Sequence, residues 1–466
     1  MSGVVRIGMP IVLGALLITN EGARPASTPL AHVVTHALPA AQVLGSSVAV
    51  VRDGTIVLDA QHGYVDPKRA HPVDAGTRFA IGSLTKQFTA AGILLLAERK
   101  QLSLDDPLAK YLPQLPNAST ITLRMLLDQT SGLHNYPTRE HDWPIAGPIA
   151  PSAIFAVLAT DRPDFPPGTQ WEYSNSNYAA LAGVIARVSG MPYQTFLARN
   201  IFEPLKMTQT SYGYAGQRAG NLAGSYAGPA FAVMRPQVSL DLYYGAGGLI
   251  STAHDLALWD IALLEGRVLE SASMQAFFEP GHLSDGSPTN YAMGWVPGGM
   301  DGQAEVWHNG WVPGEGGYCY NALFPQRGIA VVVLTNGDQG TVGSVPENVV
   351  RAALETLVPA PTPEPPTEAG AHAIATVRAV LTDLESGNFS PSLYTPKTLA
   401  AFSAQAAALK AAFAGAGQPN TLEVIDHASD GGATVYHLRA AFAAGTRTIT
   451  LTLSSDGLVS GFFLGQ

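Results

Sequence analysis

Ser83 and Lys86 stand three apart in Phe79-Ala80-Ile81-Gly82-Ser83-Leu84-Thr85-Lys86, which leads into an apolar-periodic segment predicted as a helix over Leu84 to Arg99. On the first turn of a helix that spacing puts both side chains on one face. A serine hydroxyl is a poor nucleophile until a base takes its proton. A partly buried lysine can be held neutral enough to serve, and the helix N-terminus favours the developing negative charge. Taken alone, Ser-x-x-Lys also describes an N-capping serine followed by a solvent lysine, so the chemistry needs support from elsewhere in the chain.

A second segment supplies it. Pro166-Pro167-Gly168-Thr169-Gln170-Trp171-Glu172-Tyr173-Ser174-Asn175 places tyrosine and asparagine two apart in a turn before a predicted helix. A phenol beside an ammonium can take and return a proton, while an amide can hold a substrate carbonyl and the lysine. A third segment, Trp307-His308-Asn309-Gly310-Trp311, is predicted at a strand whose glycine lets a substrate backbone approach closely.

In this order and spacing the three segments resemble the penicillin-recognising serine hydrolase superfamily: Ser-x-x-Lys, Tyr-x-Asn, then a basic or histidine residue followed by x-Gly. Two more segments are similar to its class C β-lactamase-like branch. Leu126-Leu127-Asp128-Gln129-Thr130-Ser131-Gly132-Leu133 has Gln129 where the branch usually has histidine, and the second is Gly247-Gly248-Leu249-Ile250-Ser251-Thr252-Ala253-His254-Asp255-Leu256. The resemblance covers Val34 to Leu357. It implies an α/β, β-lactamase/transpeptidase-like fold, an antiparallel sheet flanked by helices plus a helical subdomain. It also implies Ser83 as the acylated nucleophile, Lys86 and Tyr173 sharing acid/base work, and Asn175 orienting the acyl group. The backbone N–H groups of Ser83 and Trp311 would form the oxyanion hole, with Gly310 giving access to it. His308 stands where penicillin-processing members most often carry lysine. An unperturbed imidazole titrates near pH ~6.5, so carboxylate recognition is expected to weaken and to depend on pH.

The elements that must position these residues are legible in the surrounding pattern. β-rich runs Ser47 to Arg52 and Ile56 to Tyr64 flank Asp53-Gly54, a strong hairpin signal, and Glu315 to Phe324 and Gly328 to Thr335 form a second hairpin. Helical segments are predicted at Thr122 to Leu127, Tyr178 to Val188 and Ala253 to Leu264. One sheet built from both ends of a 30–357 domain, with helices inserted between, is the simplest assembly. A proline-dense linker, 358–370, separates it from a small α+β unit at 371–466, loosely cystatin-like, with helices at Ala371 to Ser386 and Thr398 to Ala414 before a four-strand meander. Residues 1–29 read as a signal peptide and leader, because the apolar run Ile7 to Thr19 is shorter than the ~20 residues a bilayer span needs. A periplasmic or secreted protein is expected, with an uncleaved membrane tether as the alternative and no span left after cleavage.

The remaining composition excludes several functions. With 26 basic and 36 acidic residues the net charge is −10, which disfavours nucleic acid. A single cysteine, Cys319, permits no intrachain disulfide and no cysteine metal cluster, and packing in a strand is its expected role. His134, His141, His254 and His282 show no metal-ligand spacing. Trp143, Trp307 and Trp311 are candidates for apolar cleft walls or for core positions, and Glu315 falls in a glycine-rich turn without an assigned role. The expected function is a cofactor-free, metal-free serine hydrolase acting on a small ester, amide or peptide, with esterase or peptidase activity favoured over β-lactam hydrolysis. The alternative is a non-catalytic peptidoglycan-sensing or partner-binding protein on the same fold.

Overall fold

The Asp53-Gly54 pair closes a two-residue hairpin because both residues adopt positive φ (50° and 74°), the geometry that matches the twist of the strands it joins. Those strands are β1 (Gly45–Arg52) and β2 (Thr55–Gly63). They open a six-stranded antiparallel sheet that the chain completes only after residue 295, with β3 (Val296–Met300), β4 (Gln303–Gly310), β5 (Cys319–Phe324) and β6 (Ile329–Thr335). The order across the sheet is β2-β1-β6-β5-β4-β3, so the two ends of the domain meet at the β1–β6 pair. The computed structural model describes residues 29–464 apart from 137–146, 219, 235–238, 315, 359–366, 414–416, 431–432 and 443–444.

Strand β6 is buried at every residue, as its unbroken apolar run requires of a strand covered on both faces. Its side chains alternate between two cores: Ala330, Val332 and Leu334 face the larger one, and Ile329, Val331 and Val333 face the smaller one. The larger core holds α2 (Thr85–Glu98), α3 (Leu123–Leu127), α4 (Asn175–Ser189) and α5 (Ala253–Leu264). Helix α2 is buried nearly all round, and it packs tightly on α4 at Gly92, where a Cβ would lie 2.9 Å from Ile185. The smaller core is closed by α1 (Pro29–His36) and α6 (Val345–Leu357) through Leu30, Val34, Val349, Val350 and Ala353. Pro29 opens this packed helix, and the signal-peptide reading of 1–28 lies outside the described residues.

The C-terminal residues build their own core, in which Val377, Leu381, Leu438, Leu451 and Val459 are buried between helices and the sheet β7 (Thr421–Asp430), β8 (Ala433–Phe442), β9 (Gly445–Leu453) and β10 (Val459–Leu464). Its first helix, α7 (Glu368–Ser386), starts earlier than the expected linker end at Gly370, because Thr367 caps it by accepting from the Gly370 N–H at 2.9 Å. The helix expected over Thr398 to Ala414 is two, α8 (Pro396–Ala404) and α9 (Ala406–Phe413), broken at Gln405. The two units touch where Thr448 Oγ1 donates to Asp301 Oδ1 at 3.0 Å. Among the described residues no helix is long and apolar enough to cross a membrane.

Among the described residues, neither core of the first unit takes a side chain from beyond Val358. A chain ending at Leu357 is therefore expected to remain folded and to react with a fluorophosphonate as the full chain does, read by thermal unfolding and intact-mass spectrometry. Loss of soluble protein or of the adduct would show that the C-terminal unit completes a core.

Candidate active site

The site starts at a backbone turn. Phe79–Ala80 pairs with Leu249–Ser251, Ile81 N–H donates to Leu249 O at 3.0 Å, and the chain then swings through Gly82 (φ +52°) into the short 3-10 turn Gly82–Leu84 and α2. This leaves Ser83 half-buried and aims the Lys86 side chain, which is fully buried, beneath it. Lys86 Nζ lies 3.1 Å from Ser83 Oγ, 2.8 Å from Asn175 Oδ1 and 2.8 Å from the Ala246 carbonyl oxygen. It also sits 4.6 Å from the centre of the Tyr173 ring and 5.5 Å from that of Tyr178. Burial pushes the lysine well below its ordinary range, so the uncharged amine is accessible.

Tyr173 and Asn175 are placed by the N-terminus of α4. Ser174 caps that helix by accepting from Ser176 N–H at 3.2 Å, so Asn175 is its first residue and its side chain turns back toward Lys86. The Asn175 amide is held in that orientation because its Nδ2 and its backbone N–H both donate to Asn135 Oδ1, at 3.1 and 2.9 Å. Gln129, buried with φ +63°, accepts at Oε1 from Ser174 N–H (3.0 Å) and from Asn177 Nδ2 (2.6 Å). Ser131 Oγ donates to Asn177 Oδ1. The Leu126 to Leu133 segment is thus a buckle that holds the Tyr-x-Asn turn. Burial raises the Tyr173 phenol above its ordinary value, and a hydrogen bond with Ser83 opposes that shift.

The other wall is the end of β4. A Cβ on Gly310 would fall 1.9 Å from Ile81 O and 3.2 Å from Ser83 N, and one on Gly82 would fall 2.4 Å from Trp311 N. Only glycine at both positions lets the peptide nitrogens of Ser83 and Trp311 come side by side. His308 is buried, with Nδ1 2.5 Å from Asn309 O and Nε2 3.1 Å from Tyr291 Oη. A carbonyl only accepts, so Nδ1 carries the proton and Nε2 accepts from the tyrosine. Burial first, and Lys86 second, push the imidazole down to about 3 against the opposing Asn309 hydrogen bond. The expected switch near neutral pH is therefore corrected. The water-like value assumed for His308 does not apply to an enclosed ring, which stays neutral throughout the physiological range.

Seven sequence-predicted residues, Ser83, Lys86, Tyr173, Asn175, His308, Gly310 and Trp311, converge here. Three contributors were missed. Ala246 acts through its carbonyl, which no side-chain pattern reports. Tyr291 packs its ring 6.0 Å from that of Tyr173, and Trp171, 41% exposed, lies 6.3 Å from Tyr291 at the rim. The detectable signal was Gly294, at φ +87°, whose Cβ would press on the Lys86 carbonyl carbon at 2.9 Å. The tryptophan expectation is corrected for Trp307, which strand alternation turns to the opposite face, where it stacks on Tyr320 at 5.1 Å. Trp311 likewise packs against the smaller core. Trp143, His141 and Glu315 lie outside the described residues.

His134 pairs with Asp164 and His254 with Asp59, both in exposed settings, and among the described residues no group of acidic, histidine or cysteine side chains is arranged to hold a metal. Cys319 is enclosed in β5, where burial pushes its thiol up to about 12 and keeps it inert.

A helix that begins with Ser-x-x-Lys, set between an all-antiparallel sheet and a helical insert, defines a serine hydrolase of the acyl-transferring kind. The family described as Beta-lactamase matches residues 30–355, and the chain belongs to it. PbpX of Bacillus subtilis, whose name assigns it to the penicillin-binding proteins, is 32% identical over 295 residues, 62% of this chain and 70% of that protein. A D-stereospecific amidohydrolase from Streptomyces sp. is 26% identical with a TM-score of 0.58, covering 69% of this chain and 98% of its own. The octameric penicillin-binding protein homologue from Pyrococcus abyssi, 22% identical with a TM-score of 0.58, shares the fold. Its match takes in 91% of this chain and so extends into the C-terminal unit.

Gly310→Ala is expected to force β4 away from the Ile81 carbonyl and to cost about 10²-fold or more in fluorophosphonate labelling rate. Wild-type labelling in a folded alanine variant would separate the β4 backbone from the chemistry.

Proposed function

We propose that the protein is a hydrolase that forms an acyl-enzyme on Ser83 and acts on neutral esters and amides, with amide or peptide bonds next to a D-configured centre as the favoured class. One observation carries the reading. A neutral amine has two N–H bonds and one lone pair, and the oxygens of Asn175 and Ala246, both at 2.8 Å, take the two N–H bonds of Lys86. The lone pair is left for the Ser83 hydroxyl at 3.1 Å. A lysine arranged this way is a base for the serine proton.

In the proposed reaction Lys86 accepts that proton as Oγ attacks the substrate carbonyl, and the oxyanion accepts from the Ser83 and Trp311 N–H groups. Tyr173, hydrogen-bonded to Ser83 and packed on the lysine, hands its proton to the leaving group and recovers one from the Lys86 ammonium, and Asn175 orients the acyl chain. Water then enters by the reverse path. Neutral His308 supports substrates without a free carboxylate, since an uncharged imidazole offers such a group no counter-ion. The name of the Streptomyces amidohydrolase supports the D-configured class. Export follows from the apolar N-terminal run. Against a non-catalytic role stands the cost of burying a lysine, which a retired site has no reason to keep.

A panel of p-nitrophenyl esters, D-amino-acid amides and a chromogenic cephalosporin tests the reading. Ser83→Ala is expected to abolish turnover and adduct formation, and Lys86→Ala to cost ~10³-fold or more in kcat/KM, because members of one proton-transfer unit fail together. An adduct on another serine would overturn it.

Two pH dependences follow. Because Lys86 must be neutral to act, and its pKa is lowered, kcat/KM should fall as pH drops through that lowered value and hold above it. Because His308 stays neutral, a substrate acid and its methyl ester should show the same KM profile between about pH 5.5 and 8.5. A selective gain for the acid at low pH would mean that the imidazole charges and reads the substrate.

A further inference from the structure

On the face of the sheet opposite Ser83, where β4 and α6 meet the C-terminal sheet, lies a cavity of about 280 Å³. Strand alternation builds it: while His308 and Gly310 face the catalytic side, Glu305 and Trp307 of the same strand face this one. Glu305 lines the cavity, is 5% exposed, and its Oε1 has no hydrogen-bond partner. Two further acidic oxygens here, Asp301 Oδ2 and Glu347 Oε2, are also buried without a partner. Their other oxygens are engaged: Asp301 Oδ1 with Arg351 and Thr448, and Glu347 Oε1 with Tyr318. The stacked Trp307–Tyr320 pair forms an aromatic wall, and Phe463, 61% exposed, stands on the side of the C-terminal unit.

The charge is unbalanced. Three carboxyl groups face one guanidinium, Arg351, which Asp301 already holds. The next basic group from the C-terminal sheet, Arg439, acts on Glu355, and His437 lines a neighbouring cavity. Burial pushes Glu305 up to about 8, with Arg351 and a hydrogen bond with Tyr320 opposing the shift and Glu347 and Asp301 adding to it, so the carboxyl holds a proton at neutral pH. The acidic groups are not disposed to hold a metal. Aromatic faces beside a carboxyl group that has one oxygen bonded to Tyr320 and the other, Oε1, without a partner suit an organic cation, which gains from both the charge and the ring quadrupoles.

We propose that this cavity between the two units binds an organic ammonium group, with Glu305 as its charge partner and the Trp307–Tyr320 pair as its aromatic wall. The ammonium displaces the Glu305 proton to solvent, so binding at neutral pH releases close to one proton. The occupant touches β4 and α6 from one side and β9 and β10 from the other, and therefore tightens the contact between the units.

The test uses the full chain with Ser83 first phosphonylated by a fluorophosphonate, so that the catalytic cleft cannot take the probe. Benzylammonium and benzyltrimethylammonium are titrated calorimetrically near pH 7 in two buffers of different ionisation enthalpy, with benzyl alcohol, calcium and magnesium as comparisons. Expected are one saturable ammonium site, proton release with benzyltrimethylammonium, and weakening by about 10-fold or more in Glu305→Gln, whose labelling at Ser83 is unchanged. Benzyl alcohol binding as tightly, a metal binding in preference, no saturable ammonium site, or unaltered affinity in Glu305→Gln would each overturn the proposal. The comparison of ammonium with alcohol on the unsubstituted chain stands whether or not the variant folds.

Discussion

A lysine amine enclosed by protein and met by oxygens from three separate segments is the constraint on which the site depends. A buried amine is costly unless each N–H and its lone pair find a partner, and Lys86 meets that demand with the Asn175 and Ala246 oxygens as acceptors and the Ser83 hydroxyl at its lone pair. Each acceptor brings its own requirement. Asn175 must begin a helix, Ala246 must lie in the turn that follows Gly245 at φ +69°, and α2 must run through the middle of the larger core, covered on nearly every face. The low amphipathicity of α2 is thus a consequence of its task.

The sheet divides labour between its faces. Strand β4 presents His308 and Gly310 to the chemistry, and Glu305 and Trp307 to the smaller core and the C-terminal unit. Strands β1 and β6 separate the two cores by the same alternation. A shift of one residue in β4 would exchange its faces, which makes its register with β5 a precondition of the site.

Electrostatically the catalytic side is nearly without charge. Burial drives Lys86 toward the amine, keeps Tyr173 protonated and holds His308 neutral, so the cleft wall consists of hydrogen-bonding groups and aromatic rings. Gln129 fits this character. As an amide it serves the Ser174 N–H and Asn177 without itself titrating. The buried acidic groups lie on the other face, where Glu305, Asp301 and Glu347 line one cavity.

Ser83, Lys86, Tyr173 and Asn175 were legible in the chain because local spacing on helix starts dictates their directions, and the β1–β2 and β5–β6 hairpins of the main sheet were legible because turn residues and strand patterning are local properties. Tertiary structure decided what depends on enclosure or on distant segments meeting. The Ala246 carbonyl carries no side-chain signature, Tyr291 acquires its place only when residues 281–295 pack beneath Tyr173, and Trp307 takes the far face by the pleat of a strand whose register a partner sets. His308 shows the limit most sharply. Its type and position were plain in the sequence, but its charge is a property of the low-dielectric surroundings and of the Asn309 and Tyr291 groups that fold around it, and these exist only once the chain has closed.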